Sequence, residues 1–134
     1  MNNHTHFPQA DERLSTFPAF FRVEGKVVIV FGNGDEAFAK VRLLSCTNAH
    51  IVAFADQPED AFKRYLLENG IDHRPLAFSA ELIDCATLVF AATGDESLDR
   101  QIVTEARGRK IPANAVDQPA FCDFFTPALV TRCL

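Results

Sequence analysis

The apolar run 26–31, in which Val27, Val28, Ile29, Val30 and Phe31 follow Lys26, breaks into Gly32-Asn33-Gly34, and helical periodicity begins at once on the far side. No other segment constrains the fold as tightly. Five consecutive apolar residues leave no polar face for water, so the strand must be covered on both sides, as in a parallel sheet between two layers. Ala37, Phe38, Val41 and Leu44 then recur at spacings of three and four, the signature of an amphipathic helix. Asp35 and Glu36 fall in its first turn, where acids suit the helix dipole.

The same alternation continues down the chain. Residues 50–54 read as a second strand, and Ala61, Phe62, Tyr65 and Leu66 as a second helix closed by Asn69-Gly70. A weaker strand is expected over 71–76 and a single helical turn over 79–83. Residues 87–92 form another fully apolar strand, ending at Thr93-Gly94-Asp95. Leu98, Ile102, Val103 and Ala106 mark a helix that Gly108 would end, and 111–116 the last strand, ending at Asp117. Strand and helix alternating through short connections imply right-handed βαβ crossovers. The expected fold is therefore α/β, a Rossmann-type doubly wound parallel sheet in a single three-layer domain. That domain is assigned to residues 18–134. Residues 1–17 are polar and contain Pro8, and are expected to be a flexible tail. Residues 19–23 read as a short apolar lead-in, and 121–134 as short strands or a sheet edge.

Composition narrows the partners. With 48% hydrophobic and 23% charged residues, the chain is too apolar for disorder. Its net charge of −5 argues against nucleic acid, whose phosphates need concentrated Lys and Arg. No apolar run approaches the roughly 20 residues that span a bilayer, so no membrane partner is expected. The first residues include Asp11, Glu12 and Arg13 and lack a signal-peptide core. His4 and His6 have no third ligand nearby, and the four cysteines lack zinc-like spacing, so no metal site is expected. Cys46 and Cys85 lie in apolar stretches, where a reduced buried thiol is the ordinary reading. Together these features read as cytoplasmic.

Net negative charge still admits a small anion, because backbone N–H groups at a helix N-terminus bind phosphate without charged side chains. Gly32-Asn33-Gly34-Asp35-Glu36-Ala37 fits G-x-G-x-x-G/A, and it stands where that pattern must, after a buried strand and opening a helix. The first glycine permits the tight turn, the second clears a path for a pyrophosphate, and the small Ala37 lets helix and strand pack closely. Asp35 would repel a diphosphate if it pointed inward, and is expected to point away. Asp56, at the end of the second strand, stands about where an acid accepts ribose hydroxyls and disfavours a 2′-phosphate, which makes NAD the expected cofactor. The competing reading of Asp56 is an N-cap for the next helix. Thr93 and Gly94 end the third apolar strand, where Thr93 could bond a ribose and Gly94 would let backbone approach the cofactor. Thr93 and Asp95 are equally candidate N-caps. Asn114 and Asp117 close the last strand, Asp117 standing either at the nicotinamide end of the site or as a plain turn residue before Pro119.

These motifs resemble the siroheme synthase N-terminal domain family. The first βα unit, from Val28 to Lys40, matches that family's opening segment. Pro18 and Phe20 before it, Phe90-Ala91-Ala92-Thr93, Asn114-Ala115-Val116-Asp117 with Pro119, and Phe124-Phe125-Thr126-Pro127 follow in the family's order. The resemblance implies an NAD-dependent precorrin-2 dehydrogenase that makes sirohydrochlorin and often inserts ferrous iron as a co-substrate. It implies that Asp117 is the general base and that Thr93 and Asn114 are pocket residues. Family members continue past the Pro127 segment into another strand and a helical region that forms a homodimer. The chain is therefore expected to carry the cofactor half of such a domain, truncated at its C-terminus. The tetrapyrrole substrate bears eight carboxylates, for which only the scattered Arg22, Arg74 and Arg132 are candidates. A second reading is a non-catalytic module that senses NAD(H) or another nucleotide; it uses the same pocket and needs no Asp117.

Overall fold

The structure is a computed structural model that describes residues 13–126. Five parallel strands form one sheet: β1 (Val27–Phe31), β2 (His50–Phe54), β3 (Asp72–Arg74), β4 (Leu88–Ala91) and β5 (Ala113–Ala115). Their order is β3-β2-β1-β4-β5. Three helices connect them: α1 (Asp35–Leu44), α2 (Asp60–Glu68) and α3 (Glu96–Gly108). The chain winds outward from β1 to β3, crosses back to β4, and winds outward the other way. This is the doubly wound α/β arrangement expected from the alternation.

Apolar residues on both faces explain the layering. Val28 and Val30 of β1 pack with Ala37, Val41 and Leu44 of α1 and with Phe62 and Leu66 of α2. Ile29 and Phe31 face the other way, toward Ile102, Val103 and Ala106 of α3. Successive side chains of one strand thus serve two cores. Phe does the work of large core residues: Phe31, Phe62 and Phe90 are among the most fully enclosed side chains.

Several expectations need adjustment. β3 and β5 are three residues each, shorter than the runs 71–76 and 111–116, because edge strands have a neighbour on one side only. No strand forms among the described residues of 121–134. Instead, the Asp123 N–H bonds the Ala113 carbonyl at 2.8 Å, and its carboxylate accepts the Ala113 N–H at 3.0 Å. One residue thus caps the open edge of β5. Pro127 and the rest of that segment lie outside the described residues, as do His4, His6 and Arg132. Cys85 is exposed, against the expectation of a buried thiol, because it follows a short 3-10 turn (Ala80–Ile83) that buries only Ile83. Cys46 is half-buried at the end of α1. Phe20, in the lead-in, is fully exposed, while Phe21 meets Phe124 edge-on at 5.5 Å. Among the described residues no helix is long and apolar enough to cross a membrane.

Candidate functional site

The sheet's winding reverses between β1 and β4, and open α/β sheets bind ligands outside the carboxyl ends of the strands at such a point. A crevice of about 240 Å3 opens there. Its apolar wall is aromatic. Phe31 and Phe54 stack at 5.1 Å, and Phe78 meets Phe31 edge-on at 5.3 Å. Leu76, half exposed, forms the outer lip. Asn33 and Asp56 stand on one rim, Thr93 and Asp95 on the other. A flat apolar slot with polar rims suits a purine ring carrying a ribose.

The two glycines of the turn answer to different demands. Gly32 has φ +145°, and a Cβ there would lie 2.0 Å from the Ala92 carbonyl oxygen and 2.9 Å from Ala37 Cβ. The fold itself requires this glycine, since β1 and β4 could not close on each other otherwise. At Gly34 a Cβ would meet only the tip of Glu59, at 3.4 Å. Packing does not demand a bare backbone at Gly34, so what it leaves open is available to a ligand.

Gly34 is also the N-cap of α1, and the helix has no side-chain cap. Across the crevice α3 is closed: Asp95 accepts hydrogen bonds from the Ser97 and Leu98 N–H groups at 3.0 and 3.2 Å. Of the two helix N-termini at this crevice, α1 is the one without a side-chain cap, and its first-turn N–H groups suit an anion. Asp35 and Glu36 occupy its first turn. Asp35 is exposed, Glu36 half-buried and Ala37 fully buried.

Asp56 does not cap α2, whose N-cap is Glu59. It is exposed and bonded instead to the glycine turn, where Asn33 Nδ2 donates to Asp56 Oδ1 at 2.8 Å. Asp95, not Thr93, caps α3. The Thr93 hydroxyl donates inward to Asp99 Oδ1 at 2.7 Å, and the Thr93 N–H bonds the same oxygen at 3.0 Å. Asp99 is buried, and burial raises its pKa above the ordinary aspartate value even though both Thr93 bonds pull it down. Gly94 adopts φ +85° on the exposed rim. Asn114 is buried on β5 and donates Nδ2 to the Phe124 carbonyl at 2.9 Å, tying the closing segment to the sheet.

Asp117 is exposed, in a turn just beyond β5, at φ +64°, a conformation Asp tolerates better than most side chains. The backbone on either side is fixed, Val116 N–H on Ala91 O and Gln118 N–H on Ala115 O. The buried Gln118 accepts from Arg100 Nε at 2.9 Å. The Asp117 carboxyl stands beside the Glu36 carboxyl, and its proximity raises the Glu36 pKa. Burial and the negative charges of Asp117 and Asp99 add in the same direction. Two neighbouring carboxyl groups disfavour ionising together.

Sequence reasoning missed Asp99, Gln118, Leu76 and Phe78. Asp99 and Gln118 look like ordinary polar residues, and only tertiary structure buries them. Leu76 and Phe78 sit in a connection without periodicity, although two large apolar residues in a loop are themselves a signal of a lined crevice.

A family model described as "Putative NAD(P)-binding" matches residues 19–128. The chain belongs to this NAD(P)-binding family. Siroheme synthases are among its relatives: that of Methylobacillus flagellatus is 34% identical over 119 residues, which is 89% of this chain and 26% of the relative. The enzyme of Pseudomonas fluorescens is 36% identical over the same shares, and that of Ectopseudomonas mendocina 39% identical, with 25% of its length matched. The chain thus spans about a quarter of the length of the curated relatives it matches. Among solved structures, SirC, a precorrin-2 dehydrogenase, superposes with a TM-score of 0.72 at 15% identity, covering 84% of this chain and 55% of that one; this likeness is one of fold. The geometry fits the family's cofactor: an open helix N-terminus, a turn bare where no packing requires it, and an aromatic slot beside an acid.

Proposed function

We propose that this chain is the NAD-binding part of a precorrin-2 dehydrogenase of siroheme biosynthesis, acting in the cytoplasm on a tetrapyrrole substrate. One observation carries the reading: the Val116 N–H bond to the Ala91 carbonyl at 3.0 Å sets the turn with Asp117 at the carboxyl end of β4, where its charge acts on Glu36 in the first turn of α1, so the acid that the resemblance implies as base stands beside the helix turn suited to the cofactor's diphosphate. NAD+, when bound, takes the hydride. The protein's task is to orient the macrocycle and remove the accompanying proton, and Asp117, as a carboxylate, accepts it. Precorrin-2 and NAD+ would thus give sirohydrochlorin, NADH and H+. Ferrous iron as a second substrate would displace two pyrrole N–H protons, which the same carboxylate would collect in turn. Asp56 selects NAD over NADP, because a ribose 2′-phosphate would face a carboxylate. A homodimer through residues beyond this chain would complete the substrate cleft and supply basic groups for the substrate's carboxylates.

The test is NADH formation from precorrin-2 by this chain and by a version extended to the relatives' length, each with and without Asp117→Asn. The expected result is that the substitution abolishes turnover while NAD+ affinity stays within about twofold of the parent. An extended wild-type protein that binds NAD+ but never oxidises precorrin-2 favours the nucleotide-sensing reading instead.

A further inference from the structure

The residue between the two glycines of the turn faces away from where a diphosphate would lie. Asn33 directs its side-chain amide toward the β2–α2 connection, donating Nδ2 to Asp56 Oδ1 at 2.8 Å and accepting the Gln57 N–H on Oδ1 at 3.1 Å. Its backbone carbonyl accepts the Glu59 N–H at 3.0 Å. Three bonds therefore join the loop after β1 to the loop after β2.

The consequence falls on Asp56. An exposed aspartate that neither caps a helix nor pairs with a cation would sample several rotamers in water. Here one carboxylate oxygen is held by a charge-assisted hydrogen bond, while Oδ2 carries no hydrogen bond among the described residues. We propose that Asn33 is a specificity-determining positioning residue, whose amide fixes Asp56 so that its remaining oxygen accepts a ribose 2′-hydroxyl and refuses a 2′-phosphate. The inference rests on the reading of this crevice as a dinucleotide site and deepens it, for selectivity then depends on a pair of residues rather than on one acid. Preorganisation is the physical gain, because rotamer entropy is lost on folding rather than on binding.

Asn33→Ala tests this, since Asn33 has a φ that alanine adopts without strain and the backbone bond to Glu59 can persist. NAD+ and NADP+ affinities are measured by calorimetry on this chain for wild type, Asn33→Ala, Asp56→Ala and the double variant. Wild type is expected to prefer NAD+. Asn33→Ala should lower the NAD+/NADP+ preference about tenfold, the loss of one hydrogen bond to a charged group. In the Asp56→Ala background it should have no further effect on that ratio. Asn33→Leu, close in shape but without the amide, should lower the ratio by a similar factor and serves if Asn33→Ala does not fold. Equal loss of affinity for both nucleotides, with the ratio unchanged, overturns the inference alone, as does a fully additive double variant. Wild-type chain that binds neither nucleotide overturns the cofactor reading and this inference together.

Discussion

Gly32 and Gly34 belong to one motif, yet their substitutions should separate fold from function. Gly32→Ala drives a methyl into the Ala92 carbonyl and should cost more than about 4 kcal/mol, read as a collapse of the urea midpoint. Gly34→Ala should leave the urea midpoint nearly unchanged, since the methyl meets only the tip of the Glu59 side chain, while lowering NAD+ affinity about tenfold or more by crowding the diphosphate's approach to the turn. Glu36 offers a pH test. Its pKa is raised in the folded chain, so the fold binds its proton more tightly than the unfolded state does. Its stabilising contribution is complete below the ordinary glutamate range and is lost as pH rises through the raised value. The melting temperature of wild type should therefore fall with rising pH above that range, and Glu36→Gln should flatten this slope. Asp99 has the same sign and stays in the variant, so part of the slope should persist. Asp72 has the opposite sign: hydrogen bonds from Arg74 and His50 hold its pKa below the ordinary value, and the stability this gives is lost only as the solution becomes more acidic than ordinary aspartate titration.

The unequal ends of α1 and α3 make a prediction for elements. Asp95→Ala removes the one side-chain oxygen that accepts both N–H groups at the start of α3 and should destabilise the chain by about 1 kcal/mol in urea unfolding. At α1 there is no side-chain cap to remove, so added inorganic diphosphate should raise the wild-type melting temperature, and less so in Gly34→Ala. Such element-level features were largely legible beforehand. Apolar runs set the positions of β1, β2 and β4, and Gly108 ended α3 as expected. The partners of polar side chains were not legible. Thr93, Asp95 and Asp56 were each credible caps from local sequence, and only the spatial meeting of loops from different strands decides that Asp95 caps, Thr93 holds Asp99, and Asp56 joins Asn33. The aromatic slot was hidden for the same reason, because Phe31, Phe54 and Phe78 belong to three separate segments.

At the scale of the whole molecule, the sheet's two ends offer different hollows. The carboxyl end carries the crevice with the open α1 turn, the Asn33–Asp56 latch and the Glu36–Asp117 pair. The amino end carries a polar pocket of about 330 Å3 lined by Ser45, Thr47, His50, Asn69 and Asp72 among others. There Ser45, Thr47 and Asn69 spend their donors on helix carbonyls, and the helix C-termini nearby disfavour an anion. The dinucleotide therefore belongs at the carboxyl end. A titration of the 15N-labelled chain with NAD+, followed by NMR of the backbone amides, tests this directly. The expected result is saturable shifts at 32–37, 56–57 and 93–95, with Asp117 moving in concert. Shifts confined to the residues around Ser45, His50 and Asp72 would contradict it.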